Sequence, residues 1–268
     1  MELNPQRARA PHVWPMVWPR RPDRYELHVS RKRRERLNAR ERSRVLYESV
    51  LRRNMTTKCV IAVRHGEAEH NVDDTALHKR NTTLTALGFE QAAALNETIA
   101  LLRPQVIVTS PTLRTLQTTH AMLPQPLKSG ENAIRVVVSA DARENIAGHE
   151  CNLPCEPNSA ALTGSVDLRD SMFDWSLVEA QISSAGDVST WEANCTAEDA
   201  EQGILGRCNR LSSSIAAMEA KRICLVSHGD FLRKLTGDSD MMTNCEVRVY
   251  DLDTESMPPT WTRREVIL

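Results

Sequence analysis

From Lys58 onward, short apolar runs of strand length alternate with longer amphipathic segments, and this alternation constrains the fold more than any other feature of the chain. Cys59-Val60-Ile61-Ala62-Val63, Val106-Ile107-Val108, Ile134 to Val138 and Ile223-Cys224-Leu225-Val226 read as buried strands of an α/β sheet protein. Leu84-Thr85-Ala86-Leu87-Gly88 opens a helix with Thr85 as its N-cap and Leu87, Leu95, Ile99 and Leu102 as its apolar stripe. Ser110-Pro111 begins another, with Ser110 as N-cap and Pro111 at the first helical position. Val247 to Leu252 reads as an edge strand. The stretch between the third and fourth strands reads as loop-rich up to Trp191 and helical from about Ala197 to Ala220.

Polar residues follow these strands closely. Arg64 and His65, Ser110 and Arg114, Glu144, and His228 all lie just past strand ends. In open α/β sheets, ligands bind outside the carboxyl ends of the strands. Taken singly, each residue has a plain reading: a solvated cation, a core histidine, a loop charge, and for Asn71 a turn residue. Taken together, two histidines, two arginines and a carboxylate suit phosphoryl transfer, where charge spreads over three equatorial oxygens. Arginine forks match those oxygens, and Arg114 falls in the first turn of a helix, where free N–H groups attract anions. His65 attacks phosphorus only as neutral imidazole, a state that neighbouring cations favour. The leaving alkoxide needs a proton, and Glu144 is placed to supply it.

The residues Arg64-His65-Gly66-Glu67-Ala68-Glu69-His70-Asn71 resemble the R-H-G-E-x-x-x-N signature of the histidine phosphatase superfamily, in its phosphoglycerate mutase-like branch. Further matches follow in family order: Leu84-Thr85-x-x-Gly88-x-x-Gln91-Ala92, Ser110-Pro111-x-x-Arg114-x-x-Gln117-Thr118, Arg143-Glu144-x-x-x-Gly148 and Ser227-His228-Gly229. The similarity spans about residues 58–252. It implies a three-layer α/β/α sandwich with a mostly parallel sheet and a loop-rich cap insertion over about residues 145–195. It also implies catalytic roles for His65 as phosphorylated nucleophile, Glu144 as proton donor and His228. Arg64, Arg114, His228 and Gly229 would hold the phosphoryl group, with Asn71 at the pocket's edge. No metal and no other cofactor is implied. The partners would be a small phosphorylated metabolite and inorganic phosphate.

Within the superfamily, mutases typically show Ser after the Glu of the first motif, Trp before its Asn, and Arg-Tyr after the acid glutamate. This chain has Ala68, His70 and Asn145-Ile146 there, which favours a phosphomonoester hydrolase over a mutase-type phosphotransferase. A non-catalytic binder of phosphorylated ligands is the reading from another class, and the retained nucleophile, cations and acid argue against it. Cys151 to Trp191 resembles the variable cap of the broader phosphatases. Glu150 competes with Glu144 for the role of acid.

Composition adds a boundary. Residues 1–54 hold fifteen Lys/Arg and six Asp/Glu, whereas the other 214 residues hold 19 and 29. The basic segment reads as a disordered extension, or as sequence ahead of a natural start at Met55, preceding a domain over residues 55–268. Its only expected contact with nucleic acid is non-specific. Six acidic residues within it argue against a transit peptide. Seven scattered cysteines read as reduced thiols of a cytoplasmic protein. Cys151 and Cys155 resemble half of a metal site, but no second pair completes it. No apolar run reaches the length of a membrane helix.

Overall fold

The computed structural model describes residues 57–264 except 132, 160, 161 and 163–171, so the expectations for residues 1–54 lie outside the described residues. Along the chain run β1 (Thr57–Arg64), α1 (Glu69–Val72), α2 (Ala86–Ala93), α3 (Asn96–Leu102), β2 (Val106–Thr109), α4 (Leu113–Met122), β3 (Arg135–Val138) and β4 (Phe173–Asp174). They are followed by α5 (Ser176–Ala185), α6 (Val188–Gln202), α7 (Leu205–Ala217), β5 (Arg222–Ser227), α8 (Gly229–Thr236), β6 (Val247–Asp253) and β7 (Thr260–Arg263). The seven strands form one sheet in the order β4-β3-β2-β5-β1-β6-β7. Pairing is parallel from β4 through β1, whereas β6 and β7 run antiparallel.

The sheet is buried on both faces, which explains why its central strands carry unbroken apolar runs. Along β1, Cys59, Ile61 and Val63 enter one core with Ile99, Leu116, Met122 and Val178 from α3, α4 and α5. The alternate residues Val60 and Ala62 enter a second core with Leu211 and Ile215 of α7 and Phe231 and Leu232 of α8. The period of two along the strand thus produces the α/β/α layering that the resemblance implies.

Several local expectations are corrected. The first helix is two helices, α2 and α3, because the chain turns at Ala94–Leu95. Leu87 is consequently half exposed, at 50%, while Ile99 and Leu102 are buried as expected. The packed face of α2 is set by Gly88 and Ala92. Thr85 does cap this helix, its hydroxyl accepting from Gly88 N at 3.0 Å. Ser110 caps nothing: α4 starts at Leu113 after Thr112, and the Ser110 hydroxyl bonds His228 instead. The strand at Val247 is not an edge, because β7 pairs outside it. The region before Trp191 is more helical than expected, with α5 starting at Ser176. Trp191 lies within α6 and lines a separate cavity beside Arg143 and Cys195, not the pocket that His65 lines.

Candidate active site

Three neighbouring parallel strands, β2, β5 and β1, end in register and deliver the polar residues to one place. Arg64 pairs with Ser227, and Val226 pairs with both Val63 and Thr109. The His65 amide extends the ladder by donating to Ser227 O at 3.0 Å. Beyond it the motif residues brace the loop. Gly66 N donates to Thr118 Oγ1 at 3.0 Å, Glu67 N to Gln91 Oε1 at 2.9 Å, and Leu84 N to Gln117 Oε1 at 2.8 Å. The N-terminus of α2 is pressed against this loop so tightly that a Cβ on Gly88 would stand 1.9 Å from Glu67 O. One on Gly66 would stand 2.6 Å from Gly88 O, so both positions require glycine for close backbone approach.

The pocket has a volume of about 310 Å³, and its wall includes Arg64, His65, Asn71, Arg114, Glu144 and Gly229. His228 lies directly behind it, fully buried, with its ring centroid 5.2 Å from that of His65. Every sequence-predicted site residue is therefore brought together. Glu150 is not: it is exposed and does not line the pocket, whereas Glu144 is half-buried and part of the wall. Of the expected cap, His149, Cys151 and Asn152 reach the pocket, while Leu153 to Glu156 do not line it.

Hydrogen bonds assign the tautomers. His65 Nδ1 lies 2.7 Å from Gly66 O, and a carbonyl only accepts, so Nδ1 carries the proton. The lone pair is left on Nε2, towards which Arg114 Nε donates at 3.4 Å. Arg114 Nη2 lies 3.1 Å from His228 Nδ1, and a guanidinium only donates; His228 Nε2–H therefore donates to Ser110 Oγ at 2.9 Å. The Arg114 fork is itself held by Cys151 O at 2.6 Å and Asn152 Oδ1 at 2.8 Å. Arg64 donates from Nη1 to Met242 O at 2.7 Å, and its buried Nε has no hydrogen-bond partner. An unpaired charged donor in a pocket wall is costly unless a ligand anion meets it. Gly229 opens α8, where a Cβ would stand 3.2 Å from that same Nε. Asn71 is exposed at the rim, its carbonyl accepting from Ala68 N at 3.0 Å and Asn244 Nδ2 at 3.3 Å.

Burial sets the electrostatics. Desolvation, and after it the Arg114 charge, pushes both His65 and His228 well below the ordinary histidine value. Burial lowers Arg114 to about 10, which leaves it charged near neutrality. The Glu144 carboxyl accepts from Asn145 N at 2.9 Å, Asp230 N at 3.1 Å and Phe231 N at 3.0 Å, a cradle at the N-terminus of α8. These donors favour the carboxylate, but burial outweighs them and pushes the group up. A carboxyl raised in this way is suited to donating a proton.

Sequence reading missed His70 and Asn152. His70 lines the pocket with its ring centroid 5.5 Å from that of His65, and burial and then Arg114 hold it neutral, with a pKa of about 3. It occupies a variable position within the first motif, so proximity in sequence was its one available signal. Asn152 anchors Arg114 across 38 positions of sequence, and no local pattern announces that. Arg143, quoted with Glu144 in the motif, points away from the pocket into an ion cluster with Glu198 and Asp199. Among the described residues no group of three or more His, Cys, Asp or Glu is arranged to hold a metal ion.

Among solved structures the chain is similar to a mycobacterial glucosyl-3-phosphoglycerate phosphatase complexed with VO3, at 18% identity and a TM-score of 0.47, covering 77% of this chain and 97% of that one. It is also similar to Mycobacterial hydrolase 2 (19%, TM-score 0.49, 79% and 91%) and to the α-ribazole phosphatase of Shigella flexneri (17%, TM-score 0.45, 78% and 95%). No curated protein sequence matches the chain. The family model of the histidine phosphatase superfamily (branch 1) matches residues 60–144, from β1 through Glu144.

Proposed function

We propose that this domain hydrolyses phosphomonoesters of small metabolites through a phosphohistidine formed on His65 Nε2. The observation that carries the reading is the tautomer lock on His65. Its proton is committed to Gly66 O, and its lone pair faces a pocket walled by Arg64 and Arg114. In the first step the Nε2 lone pair forms the N–P bond as the ester P–O bond breaks. The departing alkoxide takes the Glu144 proton. In the second step water attacks the phosphohistidine and gives its proton to the Glu144 carboxylate; the N–P bond breaks, inorganic phosphate leaves and His65 is restored. Arg64, Arg114 and His228 stabilise the equatorial oxygens, with the unpartnered Arg64 Nε as one ready donor.

The two residues after Glu144 favour hydrolysis over a mutase-type transfer. Ile146 is buried at 3% exposure and its amide is tied to Asp199, while Asn145 O accepts from Asn152. Neither position offers a cation to a second phosphate. The seven cysteines are all unpaired, in keeping with a reducing, cytoplasm-like setting. No described helix is long and apolar enough to cross a membrane. The test is a panel of phosphate esters with the wild-type chain and His65→Ala. Turnover of several esters, all abolished by the substitution, supports the reading. Tight binding of esters with no turnover would establish the non-catalytic alternative.

A further inference from the structure

Behind the pocket, a buried ion pair fastens the segment that carries Glu144. Asp199 near the end of α6 and Arg207 near the start of α7 are 7% and 0% exposed. Arg207 Nη1 donates to Arg143 O at 2.7 Å and Asp141 O at 3.2 Å, and Nη2 donates to Glu144 O at 3.3 Å. Its Nε donates to Asp199 Oδ1 at 2.9 Å, an oxygen that also accepts from Arg143 Nη2 at 3.2 Å. The other oxygen of Asp199 accepts from Ile146 N at 3.0 Å. The carbonyls up to Glu144 and the amide two residues beyond it are thus tied to the same pair. The Arg207 guanidinium also lies over the Phe231 ring, 5.2 Å from its centroid, and Phe231 N is one of the donors that hold the Glu144 carboxyl. One buried cation therefore touches both the backbone of Glu144 and the residue that grips its side chain.

Burying an ion pair adds little stability, because desolvation offsets the attraction, so its value here lies in geometry. We propose that Asp199 and Arg207 are positioning residues for the proton donor, setting where the Glu144 carboxyl stands relative to the leaving oxygen. This rests on the reading of Glu144 as the acid. Lysine would keep the charge of Arg207 but lose the planar fork that reaches several carbonyls at once.

The experiment compares Arg207→Lys, Asp199→Asn and Glu144→Gln in the full chain, on an alkyl phosphate and on p-nitrophenyl phosphate, whose leaving group needs little protonation. Arg207→Lys should slow the alkyl ester by about 10–100-fold, as a displacement near 1 Å does, and the nitrophenyl ester by less than about threefold. Combined with Glu144→Gln, it should add almost no further loss on the alkyl ester, because the two act as a unit. Asp199→Asn keeps the size and one acceptor oxygen and should show the same selectivity in weaker form; it decides the matter if Arg207→Lys does not fold. Equal losses on both esters, no loss, or a fully additive double variant would overturn the proposal. Selective loss in Glu144→Gln without it in the other two variants sinks this inference alone. Loss of equal size on both esters in Glu144→Gln removes the acid assignment and this inference with it.

Discussion

Gly88→Ala sets two effects of known size against each other. Alanine in a helix is favoured over glycine by about 1 kcal/mol, so on propensity alone α2 should gain from the change. The new methyl, however, would stand 1.9 Å from Glu67 O and 2.9 Å from Glu67 C, both backbone atoms. A carbon–oxygen contact needs about 3.3 Å, so roughly 1.4 Å of movement must be found between α2 and the His65–Glu67 loop. Overpacking of this kind costs about 1–3 kcal/mol or more, and the backbone has no rotamer through which to escape. The clash wins. Taking about 3 kcal/mol for a clash between backbone atoms, the expected net loss of about 2 kcal/mol lowers Tm by roughly 4–8 °C for a domain of this size. The displaced loop carries His65, the proposed nucleophile, and a shift near 1 Å costs about 10²-fold in kcat/KM. Leu87→Ala, next door and half exposed, is the control and should change stability by about 0.5 kcal/mol or less. Thermal melts and steady-state kinetics on p-nitrophenyl phosphate read both effects. A Gly88→Ala protein as stable and as active as the wild type would refute the close-approach argument.

Activity should survive EDTA and be inhibited by vanadate, a mimic of the five-coordinate phosphoryl group; loss on chelation, restored by a divalent ion, would contradict the assigned electrostatics. His65, His70 and His228 have folded pKa values below their unfolded value near 6.5, so the folded state resists protonation and stability should fall as pH drops below about 6.5. Glu144, raised in the folded state, works the other way and removes stability as pH rises through its own titration. Melts across acid pH test this, and His70→Phe should flatten the slope. Glu144→Gln should slow alkyl phosphates by about 10²–10⁴-fold and p-nitrophenyl phosphate far less, while Glu150→Gln leaves both unchanged. Selective loss in Glu150→Gln instead would reassign the acid.

The parts of this site legible in the sequence are those encoded next to a strand end. Arg64, His65 and His228 follow continuous apolar runs, and parallel pairing brings those ends together without further information. The choice between Glu144 and Glu150 was not legible, because both lie in an irregular loop and the cradle from Asp230 and Phe231 belongs to a helix more than eighty residues away. Asp199 and Arg207 carry no local signal, since their partners are backbone atoms of a distant segment. Ser110 misled for a physical reason: its hydroxyl serves the His228 tautomer instead of the helix after it. The edges β4 and β7 escaped notice because strands of two and four residues leave too short a pattern to read.

Catalysis in this scheme turns on a covalent bond to one nitrogen atom. Rapid acid-free quenching of the chain during turnover, followed by peptide mass spectrometry, measures it directly. A phosphoryl group on His65 that forms and decays at rates consistent with kcat, and that is missing from His65→Ala, is the predicted result. Turnover with no phosphorylated peptide, or with phosphate on a different residue, would contradict the mechanism.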